Sequence, residues 1–164
     1  MNNQDRVKLK IVQTEALGRE LSRLRFKDKK IVFTNGCFDI LHRGHIEYLM
    51  VAANMGDILV IGLNSDASVK RLKGIDRPVQ DEQSRALLLA SLQFITYVCL
   101  FEEDTPYNLI NLVQPDILAK GGDYTNIKEI VGYDIVNKKG GQVLTIPFVE
   151  GFSTTSILKK VVSL

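Results

Sequence analysis

Tryptophan is absent from the 164 residues, and cysteine and histidine occur only twice each. Cys37 and Cys99 lie in separate apolar segments without the paired spacing of a zinc ribbon or a disulfide framework, so both are expected to be reduced thiols. No apolar run approaches the roughly 20 residues that a membrane span needs. Met1-Asn2-Asn3-Gln4-Asp5 leads into charge and not into the apolar core of a secretion signal. A soluble cytoplasmic protein with no membrane partner is expected. A large charge of one sign is also missing. The net value is +2, with nine Lys/Arg against four Asp/Glu in residues 1–30 and twelve against fifteen in the remainder. The N-terminal basic excess has no interleaved aromatics, so it reads as a solvated helix face and not as a nucleic-acid arm. With 45% hydrophobic and 24% charged residues the chain suits one globular domain with a proper core. That domain is expected over 1–164, with residues 1–28 as a tail and a leading amphipathic helix.

What is present is an alternation of two apolar periods. Leu17, Leu21 and Leu24 make one stripe across Thr14 to Arg25, which predicts the leading helix. Lys30 to Thr34 reads as a short strand, and Ile46, Leu49, Met50 and Ala53 as a helix ending near Gly56. The pattern recurs: Asp57–Leu63 strand, Asp66–Leu72 and Asp81–Leu92 helices, Tyr97–Phe101 strand. A capped helix from Thr105 to Val113 with Pro106 in its first turn, a strand Asp116–Ala119, a helix Ile127–Asn137, a strand Gln142–Ile146 and a helix Ser153–Val162 complete the chain. About five continuous apolar strands separated by helices describe a parallel sheet covered on both faces. The expected fold class is therefore α/β, a Rossmann-like doubly wound parallel sheet.

In such a sheet ligands bind at the carboxyl ends of the strands, and the unusual residues gather in the loops that follow them. Both histidines belong to His42-Arg43-Gly44-His45, at a helix entrance. Three residues apart, two imidazoles can face one side while Gly44 leaves the backbone open to a phosphate. A helix N-terminus already favours a polyphosphate, and histidine adds donors for charge moving onto a leaving pyrophosphate. Phosphoryl or nucleotidyl transfer is the chemistry suggested. A zinc site is disfavoured because no third nitrogen or sulfur ligand stands nearby in sequence. Ser153, Thr154 and Thr155 open the last helix, where hydroxyls and N–H groups can grip phosphates, with capping by Ser153 as a compatible role. Asp39 is a candidate Mg²⁺ ligand, since magnesium takes one or two carboxylates plus substrate phosphates; loop turn chemistry is the alternative. Gly121 and Gly122 would let a base or ribose approach the backbone, with Lys120 and Asp123 as polar contacts. Glu103-Asp104-Thr105-Pro106 reads as a helix cap.

The segment Asn-Gly-Cys-Phe-Asp-Ile-Leu-His-Arg-Gly-His at 35–45 resembles the signature of the cytidylyltransferase-like nucleotidyltransferase superfamily, whose members share H-x-G-H. The likeness extends through Asn64-Ser65-Asp66, Arg71-Leu72-Lys73-Gly74, Arg77-Pro78, Lys120-Gly121-Gly122-Asp123-Tyr124 and Glu150-Gly151-Phe152-Ser153-Thr154-Thr155. Within the superfamily these motifs look most like those of the D-glycero-D-manno-heptose 1-phosphate adenylyltransferases, which make ADP-heptose for lipopolysaccharide. The resemblance implies ATP and a sugar 1-phosphate as substrates and Mg²⁺ as cofactor. It also implies a homodimer or higher homo-oligomer and a separate sugar kinase in the pathway.

By the same resemblance His42, His45 and Lys73 would be catalytic. Asn35, Gly36, Cys37, Phe38, Gly44, Arg85, Lys120, Gly121, Gly122, Asp123, Ser153, Thr154 and Thr155 would bind the nucleotide, with Lys73 and Arg85 neutralising phosphate charge. Relatives that use CTP commonly carry an arginine before Thr-Glu-Gly-Ile-Ser-Thr, where this chain has Phe148-Val149-Glu150-Gly151-Phe152-Ser153-Thr154. That departure disfavours the rival reading, a cytidylyltransferase acting on an alcohol phosphate such as glycerol 3-phosphate. A non-catalytic nucleotide-binding protein of the same fold is the other alternative.

Overall fold

The apolar runs become strands buried from end to end. Ile58–Asn64 has no residue outside the interior, which is the burial expected when helices cover both faces of a parallel sheet. The computed structural model describes residues 1–122 and 124–163. Its strands are β1 (Ile31–Gly36), β2 (Ile58–Asn64), β3 (Tyr97–Phe101), β4 (Ile117–Gly121) and β5 (Gln142–Ile146). They form one sheet in the order β3-β2-β1-β4-β5, every pairing parallel.

The chain starts in the middle of the sheet, winds to one edge and then crosses back. The helices divide accordingly, because right-handed crossovers in opposite directions land on opposite faces. Helices α3 (Arg43–Ala53) and α5 (Glu82–Ser91) pack Leu49, Ala52, Ala86 and Leu89 with Val32, Ile61 and Val98 on one side. Helices α2 (Thr14–Arg25), α6 (Tyr107–Val113) and α7 (Tyr133–Lys138) pack Leu17, Leu21, Ile110, Val113 and Val136 with Phe33, Val60 and Leu118 on the other. The doubly wound α/β architecture read from the sequence is the one observed. Its winding direction reverses between β1 and β4, which opens a crevice beyond their carboxyl ends. Two further helices, α4 (Asp66–Lys73) after β2 and α8 (Thr154–Val162) after β5, have an end at that rim.

Three local expectations are corrected. Residues of the expected tail form a helix, α1 (Asn3–Lys8), capped by the Asn2 side chain on the Asp5 amide. Beyond it Val12 N–H and Val98 N–H bond to Val98 and Lys10 carbonyls, so the segment joins the β3 edge. The expected helix Ile127–Asn137 is broken: a 3₁₀ turn spans Ile127–Glu129 and α7 begins only at Tyr133. Gly132, at φ +90°, causes the break; a side chain there would be strained and its Cβ would stand 2.7 Å from Ile110 Cδ1. Finally, α6 starts after Pro106, and no side chain caps it.

Candidate active site

The crevice is a cleft of about 760 Å³ walled by the loops after β1, β4 and β5 and by the end of α4. Asn35, Gly36, Cys37, Phe38, His42, Gly44, His45, Lys73, Lys120, Gly121, Ser153, Thr154 and Thr155 all line it. Among the described lining residues Lys73, Arg77 and Lys120 bring positive charge, against the single carboxylate of Asp39. An anionic ligand is the one this balance favours.

His42 is the N-cap of α3. Its Nδ1 accepts the backbone N–H of His45 at 3.3 Å, so the proton of the neutral ring sits on Nε2. The two imidazoles stack at 3.8 Å between centroids and 17° between planes. Phe38, forced to φ +43°, sets its ring edge-on to His45 at 5.3 Å and fixes that side chain from below. His45 Nδ1 is buried and has no hydrogen-bond partner among the described residues. Gly44 makes the pairing possible: a Cβ there would lie 3.2 Å from both the His42 ring and Phe152 Cβ.

Burial, then the neighbouring His42 ring and the Lys73 charge, pull the His45 pKa from 6.5 down to about 4. Burial lowers His42 as well. Both rings are therefore neutral donors at neutral pH. The linkage has a definite sign. Above pH 6.5 His45 is neutral folded or unfolded, whereas between 6.5 and about 4 only the unfolded chain takes the proton, so folding weakens as pH falls through that window. Thermal unfolding of a His45→Gln variant is expected to lose less stability than the wild type on acidification across it; parallel curves would contradict the burial of a neutral imidazole.

Asp39 is not an open magnesium ligand. It is 2% exposed; Oδ2 accepts from Arg77 Nε at 2.6 Å, and Oδ1 accepts from the Val79 and Gln80 amides at 2.8 and 3.0 Å. Burial acts to raise its pKa, but those three donors outweigh it and hold the carboxyl below its ordinary value. Asp39 thus anchors residues 77–80 against the histidine loop and holds Arg77 at the cleft. Among the described residues no group of three or more His, Cys, Asp and Glu is placed to hold a metal ion. The side chains of the described residues do not make a resident magnesium site.

Arg85 is also corrected. It does not line the cleft but stands behind it, fully buried. Its Nε donates to the Gln80 carbonyl at 3.0 Å, Nη1 to the Cys37 carbonyl at 2.6 Å and Nη2 to Asp66 Oδ1 at 2.8 Å. One guanidinium ties three connections together. Gly121 and Gly122 hold a further surprise, because the space over them is already taken: Cβ atoms there would meet the Phe148 ring at 2.9 and 3.1 Å. Lys73 closes α4 and is exposed. Lys120 is drawn inward, with Nζ on Asn35 Oδ1 at 2.8 Å across the β4/β1 junction, and burial lowers its pKa. Ser153 does cap α8, its Oγ accepting from the Ser156 amide at 3.0 Å. Asp123 lies outside the described residues.

Sequence reasoning missed four groups at this cleft, the first being Arg77, which it met only as part of the Arg77-Pro78 motif. Tyr48 forms part of it with its hydroxyl bonded to Thr34 and, at 3.2 Å, to the Ala119 carbonyl; helical spacing makes Tyr48 look like plain core. Phe148 and Phe152 flank the β5–α8 loop, and Phe152 lies 5.4 Å from the Arg43 guanidinium. Two large aromatics in a connection were the available signal.

Comparison with known proteins agrees with this geometry. The cytidylyltransferase-like family matches residues 33–160. The bifunctional protein HldE of Trichlorobacter lovleyi is 55% identical over 93% of this chain, and that of Nitratiruptor sp. is 55% identical over 90%. The chain spans about a third of those proteins, 31% and 30% of their lengths. The crystal structure of the lipopolysaccharide core biosynthesis protein from Thermoplasma volcanium is 30% identical with a TM-score of 0.61, over 74% of this chain and 97% of that one. A pantoate-beta-alanine ligase from Francisella tularensis shares the fold at 14% identity and a TM-score of 0.59, over 94% of this chain and 78% of the ligase. The matched span contains the stacked histidines, the 148–155 loop and the β1/β4 crevice, and the chain belongs to the cytidylyltransferase-like family.

Proposed function

We propose that this chain transfers the adenylyl group of ATP to D-glycero-D-manno-heptose 1-phosphate, releasing pyrophosphate and forming ADP-heptose. The observation that carries the reading is the stacked imidazole pair at the entrance of α3, sharing one cationic cleft with the entrance of α8. Two helix N-termini facing one cavity suit a triphosphate, because each presents amide donors and a positive dipole end. In this reading an oxygen of the sugar phosphate bonds to the α-phosphorus as the bond to the β-phosphate's bridging oxygen breaks, and pyrophosphate leaves. The acceptor is already ionised, so no strong base is required. Neutral His42 and His45 donate to the oxygens that gain charge, and Lys73 and Arg77 offset it.

The motif likeness to heptose 1-phosphate adenylyltransferases supports the sugar, and the name of the Thermoplasma relative, a lipopolysaccharide core biosynthesis protein, supports the destination of the product. Magnesium enters as the counter-ion of ATP, since Asp39 spends its oxygens on Arg77 and two amides. Sugar phosphorylation is performed by a kinase outside these 164 residues, on this polypeptide or another. The working form is a cytoplasmic homodimer or larger assembly.

The test is a matrix of ATP, CTP, GTP and UTP against heptose 1-phosphate, glycerol 3-phosphate and other phosphates, read as pyrophosphate release. The expected signal is confined to ATP with the heptose phosphate. Turnover with CTP and glycerol 3-phosphate alone would overturn the proposal.

A further inference from the structure

Phe148 is the feature of the cleft that the proposed chemistry leaves without a task. It is 71% exposed although it is a large apolar side chain at the end of the cleft formed by β4 and β5. The ring packs on the glycine pair at 121–122, which leaves room that any side chain would fill: its Cε1 and Cε2 stand 2.9 and 3.1 Å from the Cβ positions. Its other surroundings at that end are Tyr124, close to Gly122, and Tyr48, close to Gly121. The same cleft holds the cations Lys73, Arg77 and Lys120 and two helix entrances. It thus offers charge suited to phosphates and, at Phe148, an exposed aromatic ring suited to a heterocycle. Solvating a phenyl ring has no benefit of its own, and a rigid backing of glycine backbone gives it a fixed plane.

We propose that Phe148 is the platform on which the nucleobase stacks, and that this neutral ring makes the site selective for the large face of a purine. The inference rests on the adenylyltransferase reading and adds to it the residue that recognises the base. Stacking a base on an aromatic ring accounts for roughly five- to a hundredfold in affinity, is independent of the phosphates, and grows with the area of the base.

The absence of tryptophan supplies the experiment. Phe148→Trp introduces a single indole at the proposed contact. Its emission is expected to be quenched saturably by ATP and by ADP, less by CTP, and not by inorganic tripolyphosphate, which carries the charge without the base. In parallel, Phe148→Ala is expected to raise the KM for ATP about tenfold or more with kcat changed only a few-fold, while Phe148→Tyr keeps the wild-type KM. Equal quenching by tripolyphosphate, or an unchanged KM in Phe148→Ala, would overturn the proposal. A wild type that releases pyrophosphate from none of the four nucleoside triphosphates would instead defeat the parent reading, and the indole titration would still report whether a base meets residue 148.

Discussion

Replacing His45 with alanine is expected to slow the chemical step by roughly two to three orders of magnitude while leaving the KM for ATP within a few-fold of the wild type. The reason is geometric. The His45 ring is stacked on His42 at 3.8 Å and meets Phe38 in a T-shaped contact at 5.3 Å, so it does not have to be organised when charge develops. Its neutrality matters equally. An imidazole whose pKa is held near 4 enters the reaction as a donor without net charge, and a bound triphosphate draws that pKa upward as negative charge moves toward it. The group therefore gains most where a transition state differs from a ground state. Truncating it should lower kcat and kcat/KM together, as measured by pyrophosphate release under steady-state and single-turnover conditions. A protein that binds nucleotides without turnover would be indifferent to the change, so equal activity in His45→Ala and wild type would discard the catalytic assignment.

The second large effect is expected away from the cleft. Arg85→Met should lower stability by about 3 kcal/mol, from the loss of charge-assisted hydrogen bonds and the stranding of buried oxygens. For a chain of this size that is a fall in Tm of roughly 6–12 °C. Methionine keeps the unbranched stem and volume, so packing alone does not account for the loss. Two of the three partners are main-chain carbonyls, of Cys37 and Gln80, which have no substitute donor once the guanidinium is gone. Asp66 is half-open to solvent and contributes less. Differential scanning calorimetry checks the prediction, and a Tm within 2 °C of wild type would contradict the three-way tie. Activity should fall as well, because the Cys37 carbonyl belongs to the loop that delivers His42.

The strand-helix alternation was legible because a parallel sheet covered on both sides demands unbroken apolar runs, and Ile58–Leu63 and Tyr97–Phe101 are such runs. The histidine pair was legible because its spacing is local. What could not be read was set by distant partners. Arg85 looks like a solvated helix charge until Asp66, Cys37 and Gln80 are brought around it by the fold. Asp39 looks like an open carboxylate until Arg77, thirty-eight residues further on, closes over it. The division of Ile127–Asn137 depended on Ile110 crowding Gly132, a contact between helices that periodicity does not register. Short polar α1 was hidden because none of its residues is buried.

The Arg85 tie also bears on how such a site can change over time. Because the guanidinium grips the backbone of residues 37 and 80, it does not consult their side chains. Those positions, one of them inside the cleft, can change side chain without removing the carbonyls that the guanidinium grips, whereas position 85 itself cannot change without losing all three bonds. A lineage could thus re-tool the wall that meets its substrates while the scaffold that aims the histidines stays put.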